Sequence, residues 1–119
     1  SNLITYFKTH LTNKNAQFYL YMTWAYQNGS AKLEELINKG LYTDQMDQYT
    51  KIVDCAGRAA IQSGIGEENI IPGGTAVQNG RTSYIGDDYN RDGYHMNLSH
   101  GRYTVALTWY EKIFGKSAL

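Results

Sequence analysis

Apolar residues recur at helical spacing in three parts of the chain and gather into compact runs in two others. In LITYFKTHL, Leu3, Ile4, Phe7 and Leu11 share one side of a 3.6-residue period, and Asn13 to Asn15 breaks it. In QMDQYTKIVDCAGRAAIQ, Met46, Tyr49, Ile52, Val53, Ala56, Ala60 and Ile61 form an apolar face. Thr43 or Asp44 is placed to cap that helix, and Ser63 to Gly66 to stop it. From Leu98 a last helix sets Val105, Ala106, Trp109, Tyr110 and Ile113 on one side before Gly115 ends it, with Trp109 and Tyr110 expected in the core.

Between these helices, QFYLYMTWAY has the length and composition of a buried strand and ends at the turn-forming QNGS. NIIPGGTAV reads as a shorter strand, with Pro72, Gly73 and Gly74 handing over to a loop. Residues 78–97 are polar and glycine-bearing and read as a long loop. The order helix, strand, helix, strand, loop, helix predicts parallel pairing and an α/β architecture. Two strands are few for a parallel sheet, which is normally covered on both faces, so the pattern predicts part of a larger fold.

Composition narrows the function classes. The 119 residues bound a single domain. Eleven basic and eleven acidic residues, without a block of either sign, argue against nucleic acid and against an anionic membrane surface as partners. No apolar run approaches the roughly 20 residues that cross a bilayer, and SNLITYFKTH lacks the basic-then-apolar pattern of a leader. Cys55 is the only cysteine, which leaves no internal disulfide or thiolate cluster, and its apolar neighbours predict a buried small side chain. Eleven tyrosines against three phenylalanines suit a cleft or a sugar-facing rim, and equally the edge of a core.

Candidate chemistry gathers in DGYHMNLSHGRY. A carboxylate three residues before an imidazole can fix one tautomer of the ring and leave its other nitrogen as a base, although a solvated surface pair has the same spacing. Asp88, Asn90, Asp92 and Gly93 also match the opening of a calcium loop, but the twelfth position is Ser99 where a bidentate carboxylate belongs. His95 and His100, five apart and without cysteine support, are poorly spaced for zinc, so no metal or other cofactor is expected.

This block resembles the last block of the SGNH (GDSL-like) hydrolase superfamily, D-x-x-H followed by a C-terminal helix. MTWAYQNGS, IIPGGTAVQNGRTS and RDGYHMNLSHGRYTVALTWYEKIFG, in that order, resemble more narrowly an uncharacterised bacterial family of that superfamily, from about Gln17 to Gly115. The resemblance implies a flavodoxin-like α/β/α sandwich, of which residues 1–119 would be the C-terminal part, with about two parallel strands and three main helices. It implies a serine esterase, acting on a small-molecule or carbohydrate ester and located in the periplasm or outside the cell. His95 would be the general base and Asp92 the residue that orients it. The superfamily's serine lies in G-D-S or G-N-S, and neither occurs here; Ser30, Ser63, Ser83, Ser99 and Ser117 read as turn, cap or surface residues.

The resemblance therefore implies that the nucleophile belongs to an N-terminal half outside these residues, that the chain alone is inactive, and that its open sheet favours self-association. Ligands of open α/β sheets sit at the carboxyl ends of the strands, which makes Trp24, Gln27 and Asn28 after the first strand, with Tyr26, and Gln78, Asn79 and Arg81 after the second, candidate substrate-binding residues. Arg81 also suits a structural salt bridge, and Arg91 is expected to point away from the dyad. The alternative is a non-catalytic module whose tyrosines hold a glycan or whose sheet edge holds another protein.

Overall fold

The computed structural model describes residues 2–118. It is an α/β structure with helices α1 (Asn2–His10), α2 (Ala31–Asn38), α3 (Gln45–Ser63), α4 (Gly73–Gly80) and α5 (His100–Phe114) around a parallel pair of strands. Strand β1 (Leu20–Tyr21) pairs with β2 (Ile70–Ile71), Leu20 opposite Ile70 and Tyr21 opposite Ile71. The ladder gains one rung where Met22 N–H donates to the Ile71 carbonyl at 3.0 Å. The run 17–26, expected to be a strand throughout, is strand only where β2 lies alongside it. Met22 and Ala25 beyond it are buried nonetheless.

Two helices escaped the hydrophobic pattern. Helix α2 starts at Ser30, whose hydroxyl accepts from Leu33 N–H at 3.2 Å, and it buries Leu33 completely. Helix α4 occupies GGTAVQNG, where two leading glycines predicted a loop. Those glycines serve packing: a Cβ on Gly73 would meet the Tyr21 ring at 2.7 Å, and one on Gly74 would lie 2.0 Å from the Thr23 carbonyl oxygen. Gly74 N–H donates to the Met22 carbonyl at 3.0 Å, so α4 begins directly against the end of β1.

Helix α3 runs as expected from an Asp44 cap to Gly64, which ends it in the left-handed conformation at φ 69°. Its buried face is narrower than the spacing predicts: Ala56, Ala60 and Gln48 are buried, whereas Met46, Val53 and Ile61 are exposed. Gln48 is tolerated inside because its Oε1 accepts from Tyr26 N–H at 2.8 Å. Cys55 is exposed, against expectation, since its position on α3 turns away from the face that carries Ala56 and Ala60. Trp109, Tyr110 and Ile113 on α5 are likewise exposed rather than core, although Trp109 keeps a tilted ring contact with Tyr21, 5.2 Å between centroids. Helical spacing states which residues share a side; it does not state that the side is covered.

The molecule is a slab only 19 Å thick, with a radius of gyration of 16.0 Å where about 13.5 Å is usual for this length. Its core is correspondingly thin. Val77 of α4 packs with Tyr89 and Met96, flanked by Trp24, Ile85 and Val105. Among the described residues no helix is long and apolar enough to cross a membrane.

Polar contacts replace part of the missing apolar core. Arg81, at the end of α4, is 5% exposed, and its Nε lies 2.6 Å from Asp87 Oδ1. Its Nη2 donates to the Ala25 carbonyl at 2.8 Å and to Asn90 Oδ1 at 3.1 Å, and Nη1 donates to Gln78 Oε1 at 2.8 Å. Burial lowers the guanidinium's pKa, and the Asp87 carboxylate opposes that shift. Removing one member of such a pair strands the other. Arg81→Met should therefore cost about 3 kcal/mol of unfolding free energy in urea titrations, and a loss below about 1 kcal/mol would show that the pair is surface-like in its energetics.

Candidate active site

The loop that follows α4 folds back on itself before entering α5. Tyr89 carbonyl accepts from Asn97 N–H at 2.8 Å, Asn90 and Met96 form an antiparallel bridge, and His95 carbonyl accepts from Arg91 N–H at 2.9 Å. These closures leave Asp92, Gly93 and Tyr94 at a tip. The tip is held from the other side by the segment after β1: Gln27 N–H donates to the Gly93 carbonyl at 2.8 Å, and Trp24 Nε1 donates to the Tyr94 carbonyl at 2.7 Å. Gly93 is required twice over, by its φ of 90° and because a Cβ there would lie 2.5 Å from Ser30 Cβ.

Within this tip Asp92 and His95 meet as the spacing suggested. Asp92 Oδ1 accepts from the backbone N–H groups of His95 at 2.8 Å and Tyr94 at 3.3 Å, which fixes the carboxylate, and Oδ2 lies 2.7 Å from His95 Nδ1. An ionised carboxylate can only accept, so Nδ1 carries the proton, and in the neutral ring Nε2 presents a lone pair. The His95 hydrogen bond, followed by the backbone donors, holds the Asp92 carboxyl down at about 2. Both side chains remain open to solvent, 52% exposed for His95 and 39% for Asp92. The Tyr94 ring leans on the imidazole at 4.1 Å between centroids, and Tyr26 packs against Tyr94.

A cleft of about 340 Å³ opens beside His95, lined by Trp24, Arg91, Met96, Arg102, Val105 and Ala106. Of the residues expected to contact substrate, Trp24 alone lines it. Arg81 is committed to the interior, and Gln78 is engaged by Arg81. Gln27 Nε2 donates to the Asp87 carbonyl and Asn28 N–H to Asp87 Oδ2, which leaves both residues bracing the loop rather than facing the cleft. Asn79 is exposed on α4. Arg91, expected to turn away, has Nε 3.8 Å from Asp92 Oδ2 and lines the same cleft. Nothing in the residue spacing marks Arg102 as part of this cleft, because only the fold of the loop brings the first turn of α5 beside His95.

The calcium alternative finds no support in the placement of its oxygens. Asn90 is buried with Oδ1 bound to Arg81, Asp92 is engaged by His95, and the Asp88 side chain is 74% exposed. Among the described residues no three His, Cys, Asp or Glu side chains gather as a metal site.

Two outcomes follow from the tip. Because the folded pKa of Asp92 is depressed, its contribution to stability is present above its ordinary value of 3.8 and is lost as pH falls through about 2. Carbon-13 NMR of the carboxyl should find a midpoint near 2 that rises in His95→Ala; an unchanged midpoint would disprove the pairing. Gly93→Ala should destabilise the chain by about 2 kcal/mol in thermal unfolding.

The comparisons with known proteins agree on one assignment. A family model described as a domain of unknown function, DUF4886, matches residues 1–119. A crystal structure of a DUF4886 family protein from Bacteroides uniformis ATCC 8492 is 41% identical, with a TM-score of 0.83 over 96% of this chain and 42% of that one. The chain thus spans under half the length of that neighbour. No curated protein matches it. On the family match and the shared fold together, the chain belongs to the DUF4886 family.

Proposed function

We propose that this chain supplies the acid-base half of a serine ester hydrolase of the SGNH type. The observation that carries the reading is the Asp92–His95 pair, with Nδ1 bonded to a fixed carboxylate and Nε2 free beside a cleft. In the reaction His95 Nε2 takes the proton from a serine hydroxyl as that oxygen attacks the ester carbonyl, and returns it to the departing alkoxide. Asp92 keeps the ring in one tautomer and offsets the charge of the imidazolium. The deacylating water then repeats the cycle, with His95 as base again.

The serine comes from outside these residues. In this reading residues 1–119 make one partial domain, and the greater length of the neighbour supports a second part that completes the sheet and brings the nucleophile. The thin slab and the exposed apolar face of α5 support this reading, because a flat layer with Trp109, Tyr110, Ile113 and Phe114 uncovered has the character of one side of an interface. The aromatic rim of Trp24, Tyr26 and Tyr94 around the dyad suits a carbohydrate ring on the alcohol side.

The test compares hydrolysis of short acyl esters by the 119-residue chain and by the same chain within a protein of the neighbour's length. The long form should be active and the short form inactive. His95→Ala in the long form should lower kcat by about 10⁴-fold or more; activity in the short form, or an unaffected His95→Ala enzyme, defeats the reading.

A further inference from the structure

The cleft beside His95 has a chemical character that general ester hydrolysis does not require. Its charged lining is Arg91 from the loop and Arg102 from the first turn of α5, and among the described residues no acidic side chain lines it. The rest is apolar, with Trp24, Met96 and Val105 forming the wall. Both arginines start from fixed backbone: Arg91 N–H is bonded to the His95 carbonyl at 2.9 Å, and Arg102 N–H to the Asn97 carbonyl at 3.1 Å. Asn97 is itself fixed, its Nδ2 donating to the Asp88 carbonyl and its Oδ1 accepting from Gly101 N–H at 2.7 Å. The side chains are long, but their points of attachment are set beside one opening.

Arg91 is a loose ion-pair partner of Asp92, its Nε 3.8 Å from Oδ2 and beyond hydrogen-bond length. Among the described residues no carboxylate lies within ion-pair distance of the Arg102 guanidinium. Arg91 and Arg102 therefore line, beside an apolar wall, the volume that a bound ester would occupy. A guanidinium presents paired N–H donors in a plane, the geometry that matches a carboxylate. The apolar wall matches a short hydrocarbon linker and lowers the local dielectric, which strengthens the ion contact.

We propose that this cleft is a carboxylate-binding subsite, so that the ester placed at His95 carries a second, ionised carboxyl group a few carbons from the ester carbon. The naming of an ester rests on the hydrolase reading above; the binding of the carboxylate does not. The subsite selects anionic over neutral substrates through Arg91 and Arg102, both of which act as positioning residues.

Equilibrium binding to the 119-residue chain tests this without turnover. Monomethyl succinate carries one ester and one carboxylate; dimethyl succinate is its neutral counterpart. The monoanion should bind roughly tenfold more tightly, with shifts of the Nε–H signals of Arg91 and Arg102 in nitrogen-15 spectra. Arg102→Gln and Arg91→Gln, both at exposed positions, should each remove most of that preference. Equal binding of the two esters, an absence of saturable binding, or a preference that survives the double Gln variant overturns the subsite. Because the readout is binding, an inactive long form would count against the hydrolase and leave this result standing.

Discussion

The Arg81–Asp87 pair is the constraint from which the arrangement of the site follows. A guanidinium that has given up most of its water needs partners, and the chain supplies groups from four separate places: Ala25 after β1, Gln78 on α4, Asp87, and Asn90 in the loop. Asp87 extends the network. Its Oδ2 accepts from Asn28 N–H at 2.7 Å and from Gln45 Nε2 at 2.9 Å, and the same Gln45 nitrogen reaches the Tyr26 carbonyl. One ion pair thus fixes the loop's start against the end of β1 and the start of α3. In a molecule with so little apolar core, this hydrogen-bonded junction does what close-packed aliphatic side chains do in thicker domains.

The dyad depends on that junction at one remove. Once Asn90 is seated on Arg81, the bridge to Met96 closes the loop, and the tip has only the short span Asp92 to His95 in which to turn. Gly93 makes the turn, and the Asp92 carboxylate satisfies backbone donors that the turn would otherwise leave bare. The same oxygen pair that stabilises the turn also orients the imidazole. Local folding and acid-base geometry are therefore a single requirement here, and a substitution that damages one damages both.

Much of this was legible in the residues, and the parts that were not have identifiable causes. Helices α1, α3 and α5 announced themselves because their apolar periods are long and their ends carry Asp44, Gly64 and Gly115. Helix α4 was hidden by Gly73 and Gly74, which ordinarily mark a loop and here are demanded by the approach of Tyr21 and Thr23, a contact between segments about 50 residues apart. Helix α2 carried its signal in Ser30 and Leu33, a cap followed by an apolar side, and it was overshadowed by the turn residues before it. Asp92 and His95 could be paired from spacing because only Gly93 and Tyr94 lie between them. The neighbours of the pair could not, since Trp24, Arg91 and Arg102 converge only after the whole loop has closed. Exposure was misjudged at Cys55, Trp109 and Tyr110 because periodicity has no knowledge of what lies opposite.

Asn97 gives the last helix a mechanical role. With one end of its amide on the Asp88 carbonyl and the other on the Gly101 N–H in the first turn of α5, it ties the rod to the loop. Gly101 sits so close to the Tyr89 carbonyl that a Cβ would be 2.4 Å from it, leaving no slack for the rod to slide. Helix α5 is 15 residues long, so its uncovered Trp109–Phe114 end lies about 20 Å from this joint. Whatever settles on that far end grips a lever whose fulcrum is the loop bearing His95.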